Sequence, residues 1–359
     1  MKADTKQQHY NIKGIFAALL FFIVVYRIPA SQGQVRVSFQ ILMEICLSLG
    51  LATVLWKYNK YIAGFLVLSV INTYYPLHDG GSFYAGKMVF LGCLWYYFIV
   101  TVKPSMKSVF NALCFGVVIN LVVQCLQRVE TYSDIAFSLP CDNFPGLMSN
   151  PNETSALYVF CIPCFLAGKW WKTSKLTVAL PIIGLYFSNT DLGGFCLVIA
   201  IMVILFKNIS NKYAILGMLI LWAGMITVLL YKPFNTLDDR IKIWAYAASL
   251  IKEHWALGAG LGHWKRLSQF AIYITGTHWV TTHNEYLQAF VEMGIASQVL
   301  IIGYLVDVIR KLRTRNFLPF LSIVLIAAFS FGSFPWHVAP LAMISITMMG
   351  IYQTTSKRI

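Results

Sequence analysis

The sequence predicts an all-α polytopic membrane protein of about twelve transmembrane helices with one large loop on its outer face. Three observations predict it. The 359 residues are 58% hydrophobic and 12% charged, with mean hydropathy +0.66, roughly half the charge density of a soluble domain. Apolar runs near span length recur along the chain. The charges between those runs alternate in sign from one side to the other.

The runs are residues 14–30, 37–56, 61–76, 85–102, 108–127, 154–168, 176–189, 192–206, 213–231, 285–309, 317–334 and 338–353. A crossing helix takes about 20 residues, so twelve take about 240 and leave little for extramembrane domains. The expected organisation is a bundle of nine helices over 1–231, an outer loop over 232–284 containing amphipathic helices, and three further helices over 285–359.

With the N-terminus inside, 18 of the 28 lysines and arginines fall on the inner side, among them Lys57, Lys60, Lys169, Lys172, Lys175, Arg310 and Arg313, and 10 of the 14 acids lie at the outer side. This is the positive-inside pattern, and an even span count puts both termini in the cytoplasm. The net charge of +14 on so apolar a chain points to lipid headgroups or anionic substrates rather than nucleic acid. A cleaved leader is the competing reading of the first run, which Pro29-Ala30-Ser31 follows, but Arg27 interrupts the approach to a cleavage site. Seven of the eight cysteines fall in spans, leaving Cys141 outside, so no external disulfide framework is expected, and the CxxC of Cys161 and Cys164 reads as packing.

Two outer segments are long, from Arg128 to about Glu153 and over 232–284. The second opens with Asp238-Asp239-Arg240 and places Ile241, Trp244, Ala248, Ile251 and Trp255 on one helical stripe. That is either an interfacial amphipathic helix or a plain surface connector. The glycines of Gly258-Ala259-Gly260-Leu261-Gly262 allow a sharp turn or close approach to a ligand, but with no strand before them they are no nucleotide fingerprint. Lys265 and Arg266 follow, and the loop closes at His283-Asn284-Glu285. Histidine titrates near neutrality, although a lone one at a membrane boundary is more often an interfacial side chain. Four of the seven histidines share this loop without metal-ligand spacing, so no metal and no cofactor are expected. Glu285, Gln288 and Glu292 then form a polar stripe on the next span. A carboxylate at that depth faces the bundle interior, either in a helix–helix hydrogen bond or in support of a site.

Arg240-x-x-x-Trp244, the run Glu253 to Gly262, and His283-Asn284-Glu285-Tyr286-Leu287-Gln288 with Glu292-Met293-Gly294 resemble the O-antigen ligase and polymerase family. Ser149-Asn150-Pro151-Asn152-Glu153 is similar to that family's NPN-type entry to a span, and Asn152 is carried over as a supporting residue. The resemblance covers about 145–345 and implies a GT-C-like membrane glycosyltransferase of the bacterial inner membrane. Such an enzyme takes a glycan from undecaprenyl diphosphate at the periplasmic face and passes it to a lipid A-core sugar (ligase), to another lipid-linked glycan (polymerase) or to a protein hydroxyl. Of the family's functional residues, the loop arginine matches Arg240 and the histidine of the HN motif matches His283. The arginine expected at the end of the preceding span does not match, for the chain reads Ser188-Asn189-Thr190-Asp191. Arg266, Lys265 or Arg128 are candidates to replace it, with Arg266 preferred because it shares the loop.

These expectations make His283 the base, Arg240, Arg266, Lys265, Asn284 and Glu285 the substrate-binding set, and Glu292, Trp244 and Asn152 the supporting residues. Arginine suits a diphosphate because it stays charged and grips two oxygens at once. A transporter is the rival class; it requires mid-membrane charges and inverted repeats, and Glu292 is the obvious mid-span charge.

Overall fold

The computed structural model describes residues 34–74, 80–132, 145–148, 150–167, 177–206, 235–275, 281–311 and 316–355. Among these there is no strand. The helices are α1 (Gln34–Trp56), α2 (Lys60–Tyr74), α3 (Gly80–Val102), α4 (Met106–Tyr132), α5 (Pro151–Ala167), α6 (Ala179–Ser188) and α7 (Asp191–Phe206), followed by α8 (Asn235–His254), α9 (Trp264–Thr275), α10 (Glu285–Arg310), α11 (Phe317–Ser330) and α12 (Ala339–Thr354). A 3-10 turn, Pro335–His337, joins the last two.

Helices α1–α7 and α10–α12 fall on expected spans, whereas the expected spans 14–30 and 213–231 lie outside the described residues. Among the described residues three stretches, Tyr84–Val102, Met106–Thr131 and Glu285–Arg310, are long and apolar enough to cross a membrane. Others are shorter. Helix α6 has 10 residues, a rise of about 15 Å against a hydrocarbon layer of about 30 Å. Helix α4 runs on to Tyr132, so Arg128, expected in a loop, stands on a helix.

The helix starts follow from local chemistry. Asn150 accepts from the Glu153 N–H at 3.0 Å and donates to the Glu153 carboxylate at 2.7 Å, with Pro151 as first helical residue. That reciprocal cap is what the NPN motif does here. Helix α5 is buried all along Ala156–Phe165, with Pro163 inside it, and it packs against α4, α6, α7, α11 and α12. Cys161 and Cys164 are free thiols in that core. A second cluster joins α1, α2 and α3, and α12 links the two through Ile346, Met349 and the Trp95 to Thr347 hydrogen bond.

Helices α8 and α9 pack differently from the expected stripe. Ile243, Ala247 and Leu250 are the buried face of α8, set against Trp264 and Ala271 of α9 and Val291 of α10. Ile241 and Trp255 stay exposed. A neighbouring helix on each flank, not one flat interface, decides which side of α8 is buried. Helix α9 has its own seam at Trp264, Leu267, Ser268 and Ala271, the spacing of one helical face.

Helix α10 is broken at Gly294, where φ is 69° and ψ −168°. The glycine run of the loop fills the gap. Ala259 and Gly260 donate to the Val291 and Glu292 carbonyls at 2.7 and 2.9 Å, and Ile295 donates to the Trp255 carbonyl at 2.8 Å. Backbone groups freed inside a membrane helix need such partners, because hydrocarbon offers none. The close approach anticipated for these glycines is therefore to another helix's backbone.

Candidate active site

The α10 entry turn is built on Thr282. Its N–H donates to Gln288 Oε1 at 3.2 Å, its carbonyl accepts from the Trp244 indole at 2.9 Å, and its hydroxyl donates to the Asn284 carbonyl at 2.6 Å. Asn284 caps α10, its Oδ1 accepting from Tyr286 and Leu287, both at 3.1 Å. Between these two held residues His283 takes a left-handed backbone, φ 53°, a conformation that non-glycine residues adopt rarely and that surrounding bonds must enforce. The turn projects the His283 ring edge-on to Phe334, 4.9 Å between centroids.

Arg240 reaches the same corner from α8. Its Nη1 donates to the Gly332 carbonyl at 3.2 Å, two residues from Phe334, and its buried Nε has no hydrogen-bond partner among the described residues. Burial works against the guanidinium charge, and Asp191 partly restores it. Asp191 opens α7, and the neighbouring Leu192 packs on Gly332. Asp191 is therefore close enough to Arg240 to favour its charge.

Burial, reinforced by the positive charge of Arg240, pushes His283 down to about 4. The ring is thus neutral at physiological pH and has a lone pair to accept a proton. Trp244 ties the assembly together by stacking edge-on to Phe331 at 6.2 Å while holding Thr282.

The remaining expected residues separate into distinct places. Glu285 bonds the Trp336 N–H at 2.8 Å and pairs with His337 Nδ1 at 3.1 Å. Glu292 is buried and accepts from the Trp264 N–H, which opens α9, and from Gln288 Nε2, each at 3.2 Å. Lys265 and Arg266 are exposed on the first turn of α9. Asn152 lies on the first turn of α5, whose Ser155 abuts Gly193 of α7. Arg128 donates to the Phe187 carbonyl at 3.2 Å and lies 4.5 Å over the Phe187 ring, at the C-terminal end of α6. Among the described residues no three His, Cys, Asp or Glu side chains group as a metal site requires.

Sequence reasoning missed His337. Atoms crowding its ring disfavour the charge, but 42% of the side chain reaches the surface, and the Glu285 and Glu292 carboxylates raise it to about 9. A lone histidine in a short turn carries no spacing signal, and its partners stand 52 and 49 residues away.

Residues 176–302 match the sequence profile described as O-antigen ligase. Over this stretch the chain is similar to the O-antigen ligase family. The matched region contains Asp191, Arg240, the glycine run, His283 and the Gly294 break, whereas Arg128, the capped start of α5 and the 331–337 turn lie outside it. Members of the O-antigen ligase family are membrane glycosyltransferase-like enzymes, and the apolar helices agree with an integral membrane protein. No curated protein matches the chain.

Proposed function

We propose that the protein is an O-antigen ligase-type glycosyltransferase that moves a glycan from undecaprenyl diphosphate to a lipid A-core sugar. In this reading it resides in the bacterial inner membrane, with both termini cytoplasmic and the site at the periplasmic face. The observation that carries the reading is the convergence of Arg240 and His283 on the Gly332–Phe334 turn. The acceptor hydroxyl attacks the anomeric carbon, the bond from that carbon to the diphosphate oxygen breaks with its electron pair leaving on diphosphate, and the hydroxyl proton passes to His283. Arg240 stabilises the charge developing on the leaving group, the interaction that strengthens toward the transition state.

The depressed proton affinity of His283 supports an order of events. A diphosphate beside Arg240 offsets the positive charge that holds the imidazole down, so the base strengthens once donor is bound. For the second cation, the geometry favours Arg128, which stands at the end of α6, over Arg266, which is exposed on α9. Glu292, on which a transporter would rely, instead binds the start of α9 and Gln288.

The test is gene deletion followed by inspection of the surface polysaccharide, with complementation by His283→Ala and Arg240→Ala. Long chains missing from the core while lipid-linked polymer accumulates indicate a ligase; single-repeat chains on the core indicate a polymerase. Either substitution restoring wild-type transfer overturns the assignment.

A further inference from the structure

His283 stands at one end of α10, and a polar cavity of about 220 Å³ stands at the other. Trp56, Asn59, Lys60 and Tyr61 of the α1–α2 turn line it on one side, Asp307 and Lys311 at the end of α10 on the other. Because α10 is long and apolar enough to cross a membrane, the two lie at opposite faces of the bilayer. We propose that this cavity binds the phosphodiester headgroup of an anionic phospholipid in the leaflet opposite the candidate active site. The proposal does not depend on the transfer reaction, since it needs only that α10 crosses the bilayer.

The walls of the cavity are fixed by bonds and by close packing. Asn59 caps α2, accepting the Tyr61 and Ile62 N–H groups at 3.0 and 3.2 Å, and the Gln353 amide of α12 donates to the Tyr58 carbonyl at 2.7 Å. Helix α2 then lies close on α10. A Cβ on Gly64 would stand 2.9 Å from Leu300, and one on Gly303 would stand 2.4 Å from the Tyr61 ring. Tyr61 therefore rests against the α10 backbone one turn before Asp307, and Lys60 Nζ stands 5.2 Å from the centre of the same ring. Glycine at this contact lets the helices approach until Lys60 and the last turn of α10 share one cavity.

The charges identify the occupant. Lys311 Nζ pairs with Asp307 at 2.6 Å, whereas Lys60 pairs with no carboxylate among the described residues. Two lysines against one aspartate leave the lining with one net positive charge, which a single phosphodiester neutralises. Lys60 is also the first residue of α2, where the aligned peptide dipoles add positive potential. Arg310 in the last turn of α10 offsets the negative end of that helix, and Lys57 is exposed on the same turn as Lys60. Basic pockets between membrane helices take anionic headgroups in this way. Trp56 ends α1 and is 62% exposed, as an indole at a membrane–water boundary is. That puts the cavity at headgroup depth and favours a lipid phosphodiester over phosphate from solution.

The experiment titrates phosphatidylglycerol or phosphatidylcholine into the full chain, purified in detergent and stripped of lipid, and counts retained lipid by native mass spectrometry. Phosphatidylglycerol is expected to be retained in preference to phosphatidylcholine. Lys60→Gln is expected to lower that retention about fivefold, the share of one lysine at an anionic lipid surface, and Lys57→Gln, outside the lining, to lower it much less. Asp307→Asn is expected to raise it, because a negative charge leaves the cavity; a variant that had merely lost its fold would not. Equal retention of the two lipids overturns the proposal. So do equal losses in Lys60→Gln and Lys57→Gln, which would mean diffuse attraction to a basic face, and so does a loss in Asp307→Asn. Displacement of phosphatidylglycerol by millimolar inorganic phosphate would assign the cavity to soluble phosphate and overturn the lipid as its occupant.

Discussion

Gly258 and Gly294 meet backbone to backbone. A Cβ on Gly258 would stand 2.4 Å from the Glu292 carbonyl, and one on Gly294 would stand 2.3 Å from the Ala256 oxygen. Both residues have positive φ, 78° and 69°. The contact sets the segment that follows α8, the helix of Arg240, against α10, whose entry turn carries His283. Gly294 occupies a region open to glycine alone, worth about 1–3 kcal/mol of strain for any other residue before the clash is added. Gly294→Ala and Gly258→Ala are therefore expected to lower the detergent melting temperature and abolish transfer together. Ala at either position with unchanged melting would show that the loop does not clasp α10.

His283 gives a pH dependence. Folded, it titrates near about 4, against about 6.5 for a free imidazole. The unfolded chain binds the extra proton between these values, so this group's contribution to stability is complete above about 6.5 and is lost as pH falls toward 4. Modification of His283 by diethyl pyrocarbonate, which attacks the neutral ring, should still proceed at pH 5.5. Arg240→Gln removes a positive charge, raises the proton affinity and should slow that reaction. A wild-type modification rate that falls through pH 6.5 contradicts the placement.

Glu292 tests the support beneath the loop. Glu292→Leu leaves the Trp264 N–H and a Gln288 N–H without their acceptor, a loss of about 1–3 kcal/mol for each buried donor. Glu292→Gln retains an acceptor oxygen and should cost less. Equal melting temperatures for the two would remove Glu292 from the architecture.

The second cation separates two arginines. Arg128→Ala is expected to weaken donor use more than Arg266→Ala, read as KM for the lipid-linked donor. Asp191→Asn should act in the opposite direction, lowering KM, because it withdraws a negative charge from beside Arg240. The reverse ranking would return Arg266 to the cradle.

The helices were legible because each apolar run is local: ten runs coincide with helices, whose ends are set by adjacent residues such as Asn150 and Asn284, and three described stretches are long and apolar enough to cross a membrane. The pairing of Arg240 with His283 was legible only through motif resemblance. Helix α9 is written in the spacing of Trp264, Leu267, Ser268 and Ala271, with the charges of Lys265 and Arg266 on its exposed side. The buried face of α8 was not legible, since two stripes on that helix are apolar and the flanking helices choose between them.

By itself the sequence determined a basic, helical membrane chain, the glycine run and the HN turn, because hydropathy, backbone freedom and capping act over a few neighbouring residues. Only the tertiary structure decided what those glycines approach, which cation stands at the end of α6, and that His337 reaches Gln288. Such contacts join residues tens of positions apart, and their geometry exists only once the helices have packed.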